Sequence, residues 1–319
     1  MKNIYLFILL LCYHTLMGQT ISDLIVVDQF GYRPDAEKIA VIRNPEIGND
    51  EDQSFDPGES YALVNASDDS QVFTGTPQIW QGGLIDTLSG DRAWWFDFSS
   101  VTTPGEYYVL DVQHNVRSFT FEIREDIYNE VLKHAVRTFF YQRSGFAKEQ
   151  PYADEGWVDG ASHLGPLQDK NCRYYLAMDD ASTEKDLHGG WYDAGDQNKY
   201  TAWTAGYIIA MLKMYEESPT VWTDDFNIPE SNNGVPDILD EAKWGMDHLL
   251  RLQNDDGSLI TLVGVESASP PSSATEPSQY SDVNTSATSK TAPTHYHIRH
   301  CFQGFRNCLD NIHLYHIAD

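Results

Sequence analysis

Between residues 24 and 123 apolar and polar positions alternate in short runs, and after Arg124 the repeat lengthens to that of a helix. The alternation is clearest at Tyr107-Tyr108-Val109-Leu110-Asp111-Val112 and at Phe119-Thr120-Phe121-Glu122-Ile123. Strands are predicted at 24–27, 39–42, 61–64, 94–98, 107–112 and 118–123, a density that implies a β-sandwich. The acidic stretch 49–58 reads as a loop. Its Asp50, Glu51, Asp52 and Asp56 have calcium-ligand chemistry, although a solvated charge run is the commoner meaning of such a stretch.

In the second half Ile127, Val131, Ala135, Val136 and Phe139 share one helical face, and so do Ile208, Met211, Leu212 and Tyr215. A third helix opens at Pro236, suited to a first-turn position, and carries Ile238, Leu239, Ala242, Met246, Leu249 and Leu250. It stops near Asp255-Asp256-Gly257. Helices separated by long loops, never alternating with strands, predict an all-α second domain.

Composition narrows the partners. The 319 residues allow two domains, and 41% apolar residues suffice for two cores. With 21 Lys and Arg against 48 Asp and Glu, the net charge of -27 repels phosphate backbones and anionic bilayers. Nucleic acid and membrane are excluded on that ground, whereas a neutral polysaccharide meets no repulsion. Residues 1–18 read as a secretory signal peptide, with Lys2 ahead of the apolar run 4–11 and a small-residue cut site at Met17-Gly18-Gln19. The run is too short to span a bilayer. A lipid anchor at Cys12 is disfavoured because no small residue precedes it. The predicted location is outside the cytoplasm, extracellular or periplasmic. Cleavage leaves Cys172, Cys301 and Cys308, which indicate no multi-disulfide scaffold.

The chemistry gathers at His188-Gly189-Gly190-Trp191-Tyr192-Asp193-Ala194-Gly195-Asp196-Gln197-Asn198-Lys199-Tyr200, where two carboxylates three residues apart sit among glycines and aromatic rings. Carboxylate pairs cleave glycosidic bonds, and sugar rings stack on Trp and Tyr faces. Trp191 and Tyr192 read equally as sugar platforms or as core packing. Tyr200 and Trp203 open a helix and lean toward the core.

The segment resembles the G-G-W-x-D-A-G-D-x-x-K-Y pattern of glycoside hydrolase family 9, the inverting β-1,4-glucanases often called cellulases. Glu230-Ser231-Asn232-Asn233-Gly234-Val235-Pro236-Asp237-Ile238-Leu239-Asp240-Glu241-Ala242-Lys243-Trp244-Gly245 resembles a second family pattern, and Tyr141-Gln142-Arg143-Ser144-Gly145 and Gly160-Ala161-Ser162-His163 extend the likeness upstream. Val26-Val27-Asp28-Gln29-Phe30-Gly31-Tyr32-Arg33-Pro34 is similar to the opening of the immunoglobulin-like module that often precedes this catalytic domain. The resemblance implies an Ig-like β-sandwich at 22–123, then at 125–292 the first part of an all-α (α/α)6 barrel, then an aberrant His-rich tail at 293–319.

For the site, it implies Asp196 as general base for the attacking water and Asp193 as its helper; Trp191, Tyr192, His163 and Tyr200 are the candidate substrate contacts, with His163 read equally as a hydrogen-bonded structural residue. Residues three apart are too close, at about 5–6 Å if helical, to be the opposed acid and base of inversion, which stand roughly 6.5–9.5 Å apart. The family's general acid is a glutamate far downstream. Glu266 and Glu276 come too early, so the chain is expected to be truncated or frame-shifted and inactive by itself. The tail, with five of eleven histidines between His295 and His316, offers His and Cys ligand chemistry but no common zinc spacing. Some family members bind zinc near the Arg-Ser-Gly and Ala-Ser-His segments; Ser144 and Ser162 stand where thiolates would be, so zinc is not expected. No cofactor is required, and calcium in loops such as 179–186 is allowed. The protein is expected to act as a monomer on a β-glucan. Two other readings stand beside the glucanase: a noncatalytic glycan-binding remnant, and a hydrolase of another β-linked glycan. A polysaccharide lyase is weaker, because basic residues are scarce.

Overall fold

The computed structural model describes residues 18–194, 197–265 and 278–282. The predicted signal peptide, Asp196, Glu266, Glu276 and the His-rich tail with Cys301 and Cys308 lie outside the described residues. The chain divides into two compact units, Met1–Val131 and Leu132–Asp319.

The first unit is a β-sandwich. One sheet runs in the order β1 (Thr20–Ile21), β9 (Val116–Arg117), β8 (Gly105–Asp111), β4 (Tyr61–Asn65), β5 (Gln71–Gly75), with β10 (Phe121–Ile123) also paired to β8. The other runs β2 (Ile25–Val26), β3 (Ile39–Pro45), β7 (Asp91–Asp97), β6 (Gln78–Ile79). Inward side chains of both sheets fill one core: Ile25, Ala40, Ile42 and Phe96 from the second, and Tyr61, Leu63, Tyr107, Val109 and Phe121 from the first. Because strand side chains alternate in direction, Ala62, Val64, Tyr108 and Leu110 form a separate cluster on the other face of the first sheet. Of the predicted segment 118–123 only β10 is strand; β9 ends just before it, and between them stands Ser118, whose hydroxyl accepts from the Val109 N–H at 2.9 Å. Exposed β5 and two-residue β6 carry too little apolar pattern to be read from sequence.

In the second unit α1 (Asn129–Gln142), α2 (Thr201–Glu217) and α3 (Asp237–Leu252) are the three α-helices among the described residues. Ile208, Met211, Leu212 and Tyr215 of α2 and Ile238, Leu239, Ala242, Met246 and Leu249 of α3 share a single core. The unit is not all-α. A four-stranded sheet orders β11 (Arg173–Tyr174), β14 (Ser278–Asp282), β13 (Ile260–Val265) and β12 (Lys199–Tyr200). Two of these strands are two residues long, below what periodicity detects.

Three smaller expectations are corrected. Ala135 is exposed, and Val136, Arg137 and Phe140 face inward, with Arg137 donating to the Tyr152 carbonyl at 2.5 Å. Leu250 is 51% exposed, off the stripe that continues from Leu249 to Leu252. Pro236 is the N-cap rather than the first helical residue, and α3 ends at Leu252, before the Asn254–Ser258 turn.

Candidate active site

The segment 190–193 runs antiparallel to the end of α1. The Ser144 N–H donates to the Gly190 carbonyl at 2.8 Å and the Tyr192 N–H to the Gln142 carbonyl at 2.9 Å, with Arg143 and Trp191 bridged between them. Gly190 has φ +76°, and a Cβ there would lie 2.4 Å from the His248 ring, so both backbone and space demand glycine. Beyond the strap the Asp193 N–H donates to the Asn198 carbonyl at 2.9 Å.

Arg143 ties the motifs together. Fully buried, it donates from Nε to Glu241 at 2.9 Å and from both terminal nitrogens to Glu230 at 3.0 Å. Its guanidinium lies 4.6 Å from the Trp244 ring centroid. Burial pushes the Glu241 carboxyl up to about 7, and the Arg143 charge opposes that rise. Glu241 also accepts from Trp191 Nε1 at 3.1 Å, and Trp244 Nε1 donates to the Gly190 carbonyl at 3.0 Å. Buried Lys199 closes the loop from the other side, donating to Asp169 at 2.6 Å and to the Leu187 and Gly189 carbonyls, each at 3.1 Å.

Within this frame Asp193 is half-buried, and the Tyr207 hydroxyl from α2 reaches its Oδ1 at 3.5 Å. The carboxylate in turn raises the Tyr207 phenol above its ordinary value, after the larger effect of burial. Asp193 is thus held at the edge of the core with solvent access. Its expected partner Asp196 lies outside the described residues.

The aromatic expectations are corrected in part. Trp191 is 3% exposed and packs into the helical core, where Gly245 makes room for it; a sugar has no face to stack on. Tyr192 and His163 are likewise buried, and they bond each other at 2.6 Å instead of lining a cleft. Tyr200 is half-buried with its ring 4.7 Å from that of Trp203, which is 52% exposed. Trp203, read from sequence as core, offers the open aromatic face. Arg143, Glu241 and Lys199 went unassigned in the sequence, although Glu241 sits in the apolar stripe of Ile238, Ala242 and Gly245 at helical spacing, a visible signal.

For cations, three acids of 179–186 have other partners: Asp180 caps Ser182, Glu184 accepts from Arg173 at 3.1 Å, and Asp186 meets His188 at 2.5 Å. In the 49–58 loop, Asp50 pairs with Arg43 at 2.6 Å. Asp224, Asp237 and Asp240 instead converge, one carboxylate oxygen each, within 4.8 Å of one another. Asp237 is fully buried and its Oδ1 has no hydrogen-bond partner, so the oxygen set fits a hard cation such as calcium. Zinc does not fit at Ser144, Ser162, His163 and Tyr192, whose donors are three hydroxyls and one imidazole.

Residues 128–295 match Glycosyl hydrolase family 9, and residues 21–116 match the Cellulase N-terminal ig-like domain. The chain belongs to glycosyl hydrolase family 9. Among curated members it is 34% identical over 251 residues to a xyloglucan-specific endo-β-1,4-glucanase of Bacteroides ovatus, covering 75% of this chain and 38% of that protein. It is 32% identical over 266 residues to a cellulose 1,4-β-cellobiosidase of Acetivibrio thermocellus, covering 74% of this chain and 28% of that one. Among solved family 9 structures, a metagenome-derived endoglucanase superposes with a TM-score of 0.66 at 29% identity, over 89% of this chain and 53% of that one. The chain spans well under half the length of these two curated relatives.

Proposed function

We propose that this chain carries the water-activating side of an inverting β-1,4-glucan hydrolase, with Asp196 as general base and Asp193 holding the same water. In the step, water attacks the anomeric carbon, its proton passes to Asp196, and the bond to the leaving sugar oxygen breaks. A general acid supplies the proton that oxygen takes up. The resemblance implies a downstream glutamate for that role. The observation that carries the reading is the placement of Asp193: half-buried, fixed by backbone bonds on both sides, and contacted by Tyr207. Both cited relatives are named for β-1,4-glucan cleavage, which supports a β-1,4-glucan as substrate. Tyr200 and Trp203 are proposed as the aromatic contact to the sugar chain. No helix among the described residues is long and apolar enough to cross a membrane. The proposed enzyme is secreted and monomeric, and calcium at Asp224, Asp237 and Asp240 is its proposed ion.

The test uses a full-length version that supplies the downstream glutamate and compares it with its own Asp196→Asn and Asp193→Asn variants on xyloglucan, mixed-linkage glucan and carboxymethyl cellulose, with glucan binding measured alongside. Loss of reducing-end release in both variants with binding retained is the expected result; removing a general base costs about 10²–10⁴-fold. Undiminished release by Asp196→Asn contradicts the assignment.

A further inference from the structure

The hydroxyl of Tyr192 is where three separate parts of the second unit meet. His163 Nδ1 lies 2.6 Å from it, the Ser162 hydroxyl bonds it, and Ser144 and the Gly145 N–H reach it from the end of α1. Ser144 is 1% exposed, His163 2% and Tyr192 8%, so water does not compete for these bonds. His163 adopts φ +58°, a left-handed conformation that a residue with a Cβ takes only when its surroundings hold it there. The Ser144 hydroxyl donates onward to Asp169, which also accepts from Lys199, so the nearby charges are already paired.

We propose that Ser144, Ser162, His163 and Tyr192 form a metal-independent pin behind Asp193, with Tyr192 as a positioning residue for that carboxylate. The proposal rests on the reading of Asp193 as part of the water-activating pair. Tyr192 precedes Asp193 directly, and its backbone is already strapped to Gln142. With the phenol fixed as well, the peptide that aims the Asp193 side chain is held from two directions. Burial keeps the phenol protonated and the imidazole neutral, leaving no anionic ligand among the four. The three hydroxyls and His163 Nδ1 are joined by hydrogen bonds, His163 Nε2 alone is buried without a partner among the described residues, and one neutral imidazole with three hydroxyls binds zinc poorly. Lys148 Nζ, 6.0 Å from the Tyr192 ring centroid, further opposes a divalent cation.

Three measurements on wild type and Tyr192→Phe test the pin. Zinc content is read after dialysis, and the melting temperature is taken with and without 1,10-phenanthroline in calcium-containing buffer. Turnover is measured on 2,4-dinitrophenyl β-cellobioside, whose leaving group needs no proton. Wild type is expected to hold no stoichiometric zinc and to melt at the same temperature with the chelator. Tyr192→Phe is expected to melt roughly 2–10 °C lower, and to lose about 10–100-fold in kcat with KM little changed. Ser162→Ala, which removes one bond of the node, gives a smaller loss of the same kind and serves if Tyr192→Phe does not fold. Stoichiometric zinc whose removal lowers the melting temperature overturns the proposal. So does a Tyr192→Phe protein that melts like wild type, or one that melts lower with kcat unchanged. If wild type does not cleave the aryl glycoside, the catalytic reading fails, while the zinc and melting measurements still decide the pin.

Discussion

Trp191 donates its indole N–H to Glu241 at 3.1 Å across a contact that exists only because residue 245 has no side chain. A Cβ on Gly245 would lie 2.3 Å from two carbons of the Trp191 ring. The G-G-W segment and the W-G pair on α3 are therefore two halves of one packing contact.

Gly245→Ala is expected to destabilise the protein by about 1–3 kcal/mol through overpacking, despite alanine's better helix propensity. Urea unfolding checks this. Unchanged stability would mean that Trp191 does not pack against α3.

Arg143→Met leaves the fully buried Glu241 carboxylate without its cation, and removal of one partner from a buried pair costs about 3–5 kcal/mol. The double variant Arg143→Met with Glu241→Met removes both charges and is expected to recover part of the loss. A double variant as unstable as the single one contradicts this account of the pair.

The Asp224, Asp237 and Asp240 cluster predicts a calcium-dependent rise in the unfolding midpoint. Calcium at 100 times its Kd adds about 2.7 kcal/mol. Asp240→Asn is expected to abolish the increment in differential scanning calorimetry with and without calcium. An increment of the same size in that variant would place the ion elsewhere.

His248 is buried on α3, and desolvation, with Lys199 and Arg251 adding to it against Asp169, depresses its pKa to about 3. In the unfolded chain the same ring titrates near 6.5. Below that pH the unfolded state binds a proton that the folded state refuses, so stability falls as pH drops. The slope is about 1.4 kcal/mol per pH unit between ~6.5 and 3. Unfolding free energies of wild type and His248→Asn over that window are expected to diverge, wild type losing more. Parallel curves contradict a neutral buried His248.

How much of this was legible in the sequence follows the length of each signal. The sandwich core was readable because β4 and β8, five and seven residues long, keep five pairs in register against one another. The faces of α2 and α3 were readable for the same reason, since a helical stripe repeats over several turns. Two-residue strands such as β11 and β12 carry no period and were missed. At the site, the glycines and Asp193 announced themselves, but burial did not: Trp191 looks the same in a sequence whether its ring faces a sugar or Gly245. Arg143 and Glu241 were hidden differently. Glu241 stands out only by its place in the apolar stripe of α3, Arg143 looks like a surface residue alone, and only the fold, which brings the end of α1 and α3 together, makes them a pair.

The most direct measurement of the central claim is hydrolysis of 2,4-dinitrophenyl β-cellobioside followed by NMR, because this leaving group isolates the water-activating carboxylates from the general acid. The account predicts that wild type releases the α-anomer of cellobiose first, and that Asp196→Asn slows release by about 10²–10⁴-fold. Release of the β-anomer first, or an Asp196→Asn protein as fast as wild type, would contradict it.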